Sequence, residues 1–163
     1  MKKIIVIGCP GSGKSTFSKS LHTTTGIPLF HLDMMYWNAD RTTVEKAVFM
    51  ERLEDVLSQN EWIIDGNYST TMELRMSCCD TIIFLDYPTD LCLDGIRKRK
   101  GTVRSDLPWV EPEDDDETFV SFVTSYNTQV RPQVIELLEK YACKDIFVFT
   151  DRDQASAFLQ KLQ

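Results

Sequence analysis

The residues with the clearest chemical potential form a glycine-rich loop near the start of the chain. Residues 8–15 read GCPGSGKS, which fits the spacing G-x-x-x-x-G-K-[ST] at every fixed position. The glycines allow backbone angles that other residues avoid, so that N–H groups can turn toward a ligand. Such a loop cradles nucleotide phosphates, with the lysine on the β- and γ-phosphates and the hydroxyl on Mg²⁺. The predicted nucleotide-binding residues are Gly8, Pro10, Gly11, Ser12, Gly13, Lys14, Ser15 and Thr16.

The sequence on either side of this loop supports the same interpretation over a chance glycine-rich turn. Residues 2–8 read KKIIVIG, a short apolar run that predicts a strand buried on both faces. Phe17 and Leu21 follow at helical spacing and predict a helix over residues 14–23. A helix that begins inside the loop adds the positive end of its dipole to the phosphate site.

Apolar strands and amphipathic helices alternate along the rest of the chain. Further strands are predicted at 26–33, 62–65, 81–86 and 145–149. Further helices are predicted at 43–59, 89–100, 119–141 and from 153 onward, and Pro132 must kink or split the third of these. The alternation predicts an α/β fold of three layers, a parallel sheet with helices on both faces, in one domain over residues 1–163. Ligands are expected at the carboxyl ends of the strands.

The charge of the chain limits its partners. Of 163 residues 26% are charged and the net charge is −7, so bulk attraction to nucleic acid or to an anionic membrane is not expected. Five bases lie in residues 97–104 and six acids in 111–117, and the region 97–117 is a candidate lid insertion. We hypothesise that the acidic run pairs with the basic stretch when the lid is open; a solvated loop is the alternative.

The cysteine pattern and the apolar runs bear on the expected compartment. Five cysteines occur without a C-x-x-C pair, and no segment approaches the ~18 apolar residues of a membrane span. The sequence therefore predicts a reduced, cytoplasmic protein that does not ligate zinc.

The absence of two other nucleotide-binding motifs narrows the functional class. The chain has no N-K-x-D and no D-x-x-G, which argues against a GTPase, and it is short for a remodelling ATPase. A compact kinase remains. Phosphoryl transfer requires positioning, charge neutralisation and exclusion of water.

Several segments together resemble the DNA topology modulation protein family, whose members are adenylate-kinase-like P-loop kinases. The resemblance covers nearly the whole chain and rests on GCPGSGKST, HLD followed by Trp37, WIIDGNY, IIFLDYP, the stretch 97–106 and RPQVIELLEK. It implies a five-stranded parallel sheet of order 2-3-1-4-5, ATP binding and phosphotransferase activity. A nucleotide-binding regulator without a dedicated substrate is the alternative, and a DNA-binding protein is a third one that the net charge disfavours.

An aspartate, a serine and several arginines are candidates for the metal and the transferring phosphoryl group. Asp86 ends the fourth strand and is predicted to hold Mg²⁺ together with Ser15; a turn residue before Pro88 is the alternative. Arg97, Arg99 and Arg104 lie in the candidate lid, and one or two of them, Arg97 and Arg104 first, are predicted to close over the phosphoryl group as in similar kinases; a solvated basic helix end is the alternative. Arg131 resembles another phosphate-directed arginine, and a surface arginine is nearly as compatible with its position.

The acceptor side is predicted from a carboxylate and its neighbours. Asp33 is predicted at the end of the second strand, and kinases of small hydroxyl compounds place an aspartate at a similar point, where it can take the proton of the acceptor. This favours a hydroxyl acceptor for Asp33, with help to Mg²⁺ or a turn as alternatives. The candidates for the acceptor pocket are Trp37, Asn67 and Arg75, with Tyr36 and Tyr68 beside them.

Overall fold

The computed structural model describes residues 1–110 and 117–162. The described residues form five strands, which are β1 (Lys3–Gly8), β2 (Leu29–His31), β3 (Trp62–Asp65), β4 (Thr81–Leu85) and β5 (Asp145–Phe149). They also form eight helices, which are α1 (Lys14–Thr25), α2 (Leu32–Tyr36), α3 (Lys46–Leu57), α4 (Ser69–Cys78), α5 (Thr89–Arg99), α6 (Glu117–Gln129), α7 (Arg131–Lys140) and α8 (Arg152–Lys161). The acidic run predicted to pair with the basic stretch lies outside the described residues, apart from Glu117.

All five strands are parallel, in the order β2-β3-β1-β4-β5. The predicted topology is confirmed. The β1 strand occupies the middle because its residues are apolar on both faces and lie between β3 and β4. The three central strands therefore bring the ends of β1, β3 and β4 to one edge of the sheet, where the glycine-rich loop begins.

The core is divided by the sheet into two apolar clusters. Side chains alternate along a strand, so that Ile4 and Val6 pack on one face of β1 while Ile5 and Ile7 pack on the other. Helices α1, α5, α6 and α8 cover the first face, and α3, α4 and α7 cover the second. The predicted three-layer arrangement is thus confirmed. No described helix is long and apolar enough to span a bilayer.

Two parts of the chain differ from the sequence prediction, and a third agrees with it. The second strand is only Leu29–His31, and the chain then turns into the five-residue α2, because Leu32 is completely buried beneath the sheet edge. The α4 helix was not predicted at all. The predicted helix 119–141 is split into α6 and α7, as the position of Pro132 predicted, and Pro132 lies in the first turn of α7, where its missing N–H costs nothing.

The segment after α5 carries the candidate lid. Residues 100–110, which we call the lid loop, form no helix or strand. One charged side chain of this loop, Asp106, is only 2% exposed and accepts a hydrogen bond from Lys19 of α1. The loop thereby lies over the start of α1.

Candidate active site

The glycine-rich loop wraps around the carboxyl end of β1 and leads into α1. Ser12 N–H donates to the Cys9 carbonyl at 3.1 Å, which closes the turn. Lys14 Nζ donates to the Gly8 carbonyl at 2.9 Å and to the Cys9 carbonyl at 3.1 Å. The ammonium group thus lies folded back on its own loop. Burial lowers the pKa of Lys14, and the negative charges of Asp65 and Asp33 oppose that effect.

The loop also contacts α5 directly, backbone against backbone. A Cβ on Gly11, whose φ is +84°, would lie 2.0 Å from the Cys92 carbonyl oxygen. A Cβ on Gly95 would lie 2.1 Å from the Gly11 carbonyl oxygen. Both positions therefore require glycine, although only the first belongs to the loop motif. The contact couples the glycine-rich loop, residues 8–15, which we call the phosphate loop, to the helix that leads into the lid loop.

A cavity of about 1280 Å³ lies over the phosphate loop. Among the described residues that line it, eight are basic and two are acidic, in a chain with a net charge of −7. The basic residues are Lys14, Lys19, Arg41, Lys98, Arg99, Lys100, Arg104 and Arg152. The acidic residues are Asp33 and Asp106. The cavity is therefore locally cationic and suits an anionic ligand.

The lid arginines do not all face this cavity. Arg99 and Arg104 line it, whereas Arg97 is exposed and lies beside a separate shallow depression. Residues two apart on a helix point about 200° apart, so Arg97 and Arg99 lie on opposite sides of α5. Of the three candidate lid arginines, the structure thus brings Arg99 and Arg104 to the cavity and leaves Arg97 outside it.

Asp86 and Arg131 form an ion pair with each other outside the cavity. Arg131 Nε and Nη2 donate to the two carboxylate oxygens of Asp86 at 2.8 and 2.7 Å. Neither residue is among those that line the cavity. The structure thus does not bring Asp86, predicted to hold the metal, or Arg131, predicted to face the phosphate, into the cavity, because the two charged groups pair with each other where β4 meets α7.

A different carboxylate lies beside the phosphate loop. Asp65 ends β3, in register with Val6 of β1, and is 4% exposed; the cavity is lined by the next three residues, Gly66, Asn67 and Tyr68, and not by Asp65 itself. His31 Nδ1 lies 2.7 Å from Asp65 Oδ1, while the buried Oδ2 has no hydrogen-bond partner among the described residues. An anionic oxygen without a partner fits a hard cation such as Mg²⁺. Sequence reasoning missed Asp65, although an acid directly after a buried strand is the same signal that singled out Asp86.

The predicted acceptor residue Asp33 lies in the first turn of α2 rather than at a strand end. Tyr68 Oη donates to Asp33 Oδ1 at 2.6 Å. Burial raises the pKa of Asp33, and the hydrogen bond from Tyr68 and the charge of Lys14 only partly oppose this. Trp37 and Asn67 also line the cavity, and Asn67 Oδ1 accepts from the Gly8 N–H at 3.1 Å.

Arg75 serves the loop after β3 instead of the acceptor pocket. Its side chain is completely buried, and its guanidinium donates to the carbonyls of Gly66, Asn67 and Tyr68. It is not among the residues that line the cavity. Tyr68 has a φ of +39°, which costs a non-glycine residue ~1–3 kcal/mol, and these hydrogen bonds hold it there. Arg75 is thus a positioning residue for Asn67 and Tyr68.

The lid loop is fixed to α1 through Asp106. Its carboxylate accepts from Lys19 Nζ at 3.2 Å and from Arg104. Burial alone raises the pKa of Asp106, but hydrogen bonds from Arg104 and Ser15 and the charges of Arg104 and Lys19 together hold it well below its usual range. Ser15, predicted to bind Mg²⁺, therefore lies beside Asp106 of the lid loop.

Comparisons with known proteins agree with the fold. The chain is similar to the crystal structure of a shikimate kinase from Bacteroides thetaiotaomicron, with a TM-score of 0.56 and 21% identity over 98% of this chain and 95% of that one. It is also similar to a shikimate kinase from Aquifex aeolicus, with a TM-score of 0.53 and 18% identity over 98% and 92% of the two chains. No protein-family model and no curated protein matches the sequence. The chain therefore shares the fold of these two proteins.

Proposed function

We propose that this protein is a phosphotransferase that uses Mg²⁺·ATP to phosphorylate a hydroxyl group of a small acceptor. The observation that carries the proposal is that one cavity is lined at once by the phosphate loop, by cationic side chains and by Asp33. Single-ligand pockets measure ~300–1,000 Å³, so a cavity of about 1280 Å³ has room for a nucleotide and a second compound. The resemblance to adenylate-kinase-like proteins and the likeness to proteins named shikimate kinases support the same reaction class.

In this proposal the phosphates replace the loop carbonyls as partners of Lys14. The loop N–H groups and the start of α1 hold the β-phosphate, and Arg99 and Arg104 neutralise charge on the group in transfer. Asp65 and Ser15 would hold Mg²⁺, which when bound screens the phosphate charge. Asp33 orients the acceptor hydroxyl and takes its proton.

A coupled assay for ADP release tests the proposal. The enzyme is given ATP and Mg²⁺ with a panel of nucleosides, nucleotides and hydroxy acids, and an acceptor-dependent rate is expected. Lys14→Met should abolish that rate, because the variant lacks the ammonium group that binds the β- and γ-phosphates. Lys46→Met is the matched control, because Lys46 is exposed at the start of α3 and lies away from the cavity. A wild-type rate in Lys14→Met would refute the proposal. ADP release that no acceptor accelerates would favour the alternative, a nucleotide-binding regulator.

A further inference from the structure

The acceptor side of the cavity is lined by aromatic rings. Trp37 follows α2 and Trp109 belongs to the lid loop, and their ring centroids are 5.4 Å apart at an interplanar angle of 88°. Both residues line the cavity together with Tyr68. We call Trp37, Tyr68 and Trp109 the aromatic wall. Two different segments of the chain thus place flat apolar surfaces around one space.

The wall is held in place from behind. Tyr36 contacts the ring of Trp37 edge-on at 5.1 Å and the ring of Tyr68 at 5.0 Å. The backbone of Trp37 pairs with Thr43, and two hydrogen bonds from Asn38 to Thr42 close the turn between them. Rings fixed in this way lose little conformational entropy when a ligand stacks on them.

The cationic side chains on the acceptor side do not form a binding site for a carboxylate group of the acceptor. Arg75 and Arg131 could have bound one, but their guanidinium groups are held by backbone carbonyls and by Asp86. The other cations of the lining lie in the phosphate loop, α1, α5, the lid loop and α8, where nucleotide phosphates are expected. Within the described acceptor segment 32–45, only the exposed Arg41 is a cation that lines the cavity.

Asp33 places hydroxyl chemistry next to the aromatic wall. Its Oδ1 accepts a hydrogen bond from Tyr68 Oη at 2.6 Å. Because Tyr68 belongs to the wall and also fixes Asp33, a ring and a hydroxyl of one ligand can be recognised side by side. A nucleoside carries these two features, a flat heteroaromatic base and a sugar with hydroxyl groups.

We propose that the acceptor is a nucleoside whose base stacks on the aromatic wall and whose sugar hydroxyl meets Asp33; this inference rests on the proposed function. In the transfer the hydroxyl oxygen forms a bond to the γ-phosphorus of ATP. The bond from that phosphorus to the β–γ bridging oxygen breaks, and ADP leaves. The hydroxyl proton passes to the carboxylate of Asp33, and the product is a nucleoside monophosphate.

Binding measured without ATP tests the acceptor independently of turnover. Calorimetric titration of the full chain with adenosine, guanosine, cytidine and thymidine is compared with titration by shikimate, a hydroxylated carboxylic acid without an aromatic ring. Base stacking on an aromatic side chain is worth ~1–3 kcal/mol, so Trp37→Ala and Trp109→Ala should each weaken binding of the preferred nucleoside roughly 5- to 150-fold. Trp37→Phe keeps a ring and should recover part of the loss.

Matched controls come from the same two segments. Met34→Ala in α2 and Val110→Ala in the lid loop remove exposed apolar side chains that do not line the cavity, and both variants should bind as the wild type does. Tryptophan fluorescence gives a second readout, since the nucleoside should quench Trp37 and Trp109 but not the fully buried Trp62.

The outcomes separate this inference from the proposed function. Binding of shikimate but of no nucleoside, or unchanged nucleoside affinity in both alanine variants, would overturn the nucleoside assignment while leaving phosphoryl transfer intact. A nucleoside that binds through the aromatic wall without stimulating ADP release would support the site and overturn the transfer.

Discussion

Replacing Asp106 by asparagine should release the lid loop from α1. The substitution keeps the shape of the side chain but removes the charge that Arg104 and Lys19 share. Arg104 and Asp106 have side-chain exposures of 16% and 3%, so their pairing is only partly screened by solvent. Lys19 is 42% exposed, and its contribution is discounted accordingly.

The expected loss is set mainly by the hydrogen bonds from Arg104. Hydrogen bonds to a charged group are worth ~1.5–3 kcal/mol, and the asparagine retains one acceptor, so we expect a loss of about 2 kcal/mol. For a chain of this length that corresponds to a fall in Tm of roughly 4–8 °C, measured by thermal unfolding with circular dichroism. Glu61→Gln, which removes a carboxylate from an exposed ion pair with Lys2, is the control and should leave Tm nearly unchanged.

The effect of Asp106→Asn on Tm should depend on pH in a defined direction. The pKa of Asp106 is lower in the folded protein than its unfolded value of about 3.9, so the ion pair stabilises the protein at pH values above that value. The difference in Tm between wild type and Asp106→Asn should stay constant near neutral pH and shrink as the pH falls below about 4. If Asp106→Asn melts with the wild type at neutral pH, the lid is held by packing and the argument from charge fails.

Three further results follow from the site. Asp33 must be ionised to take a proton and its pKa is raised, so kcat/KM should begin to fall with decreasing pH at a pH above the usual carboxyl range. Tyr68→Phe removes a hydrogen bond that lowers the pKa of Asp33 and should move this fall to still higher pH. A fall that moves to lower pH in the variant would contradict the hydrogen-bond argument. Asp65→Asn should raise the Mg²⁺ concentration needed for nucleotide to increase Tm, while Asp86→Asn should lower Tm without changing that concentration; equal Mg²⁺ responses would rule out Asp65 as the metal ligand. Gly95→Ala should lower both Tm and ATP affinity, measured by titration, although the same change in an open helix stabilises by ~1 kcal/mol; a more stable variant would show that α5 can move away from the phosphate loop.

The central strands and the phosphate loop could be predicted because their signals are local. Apolar β-branched runs in β1, β3 and β4 leave no alternative to buried strands, and the loop motif fixes its own function at each position. The α4 helix could not be predicted, because its buried face consists of Thr71, Met72, Arg75 and Met76, and a buried arginine breaks the apolar periodicity. Trp109 was missed for a related reason, since only its contact with Trp37 across 72 residues gives it a place in the site.

Arg75 and Asp65 mark where sequence reasoning about a site must end. Asp65 ends β3 and Arg75 lies in α4, the next helix along the chain. Residue type alone suggests that the arginine binds an anionic ligand. The fold contradicts this expectation, because the backbone carbonyls of residues 66–68 take up the guanidinium of Arg75, while Asp65 Oδ2 is buried without a described partner. A buried charge whose hydrogen bonds are filled by the chain positions other groups, and one left unfilled is stabilised only when something else binds it. Whether a group is filled depends on the path of distant backbone segments, which the local pattern of residues does not encode.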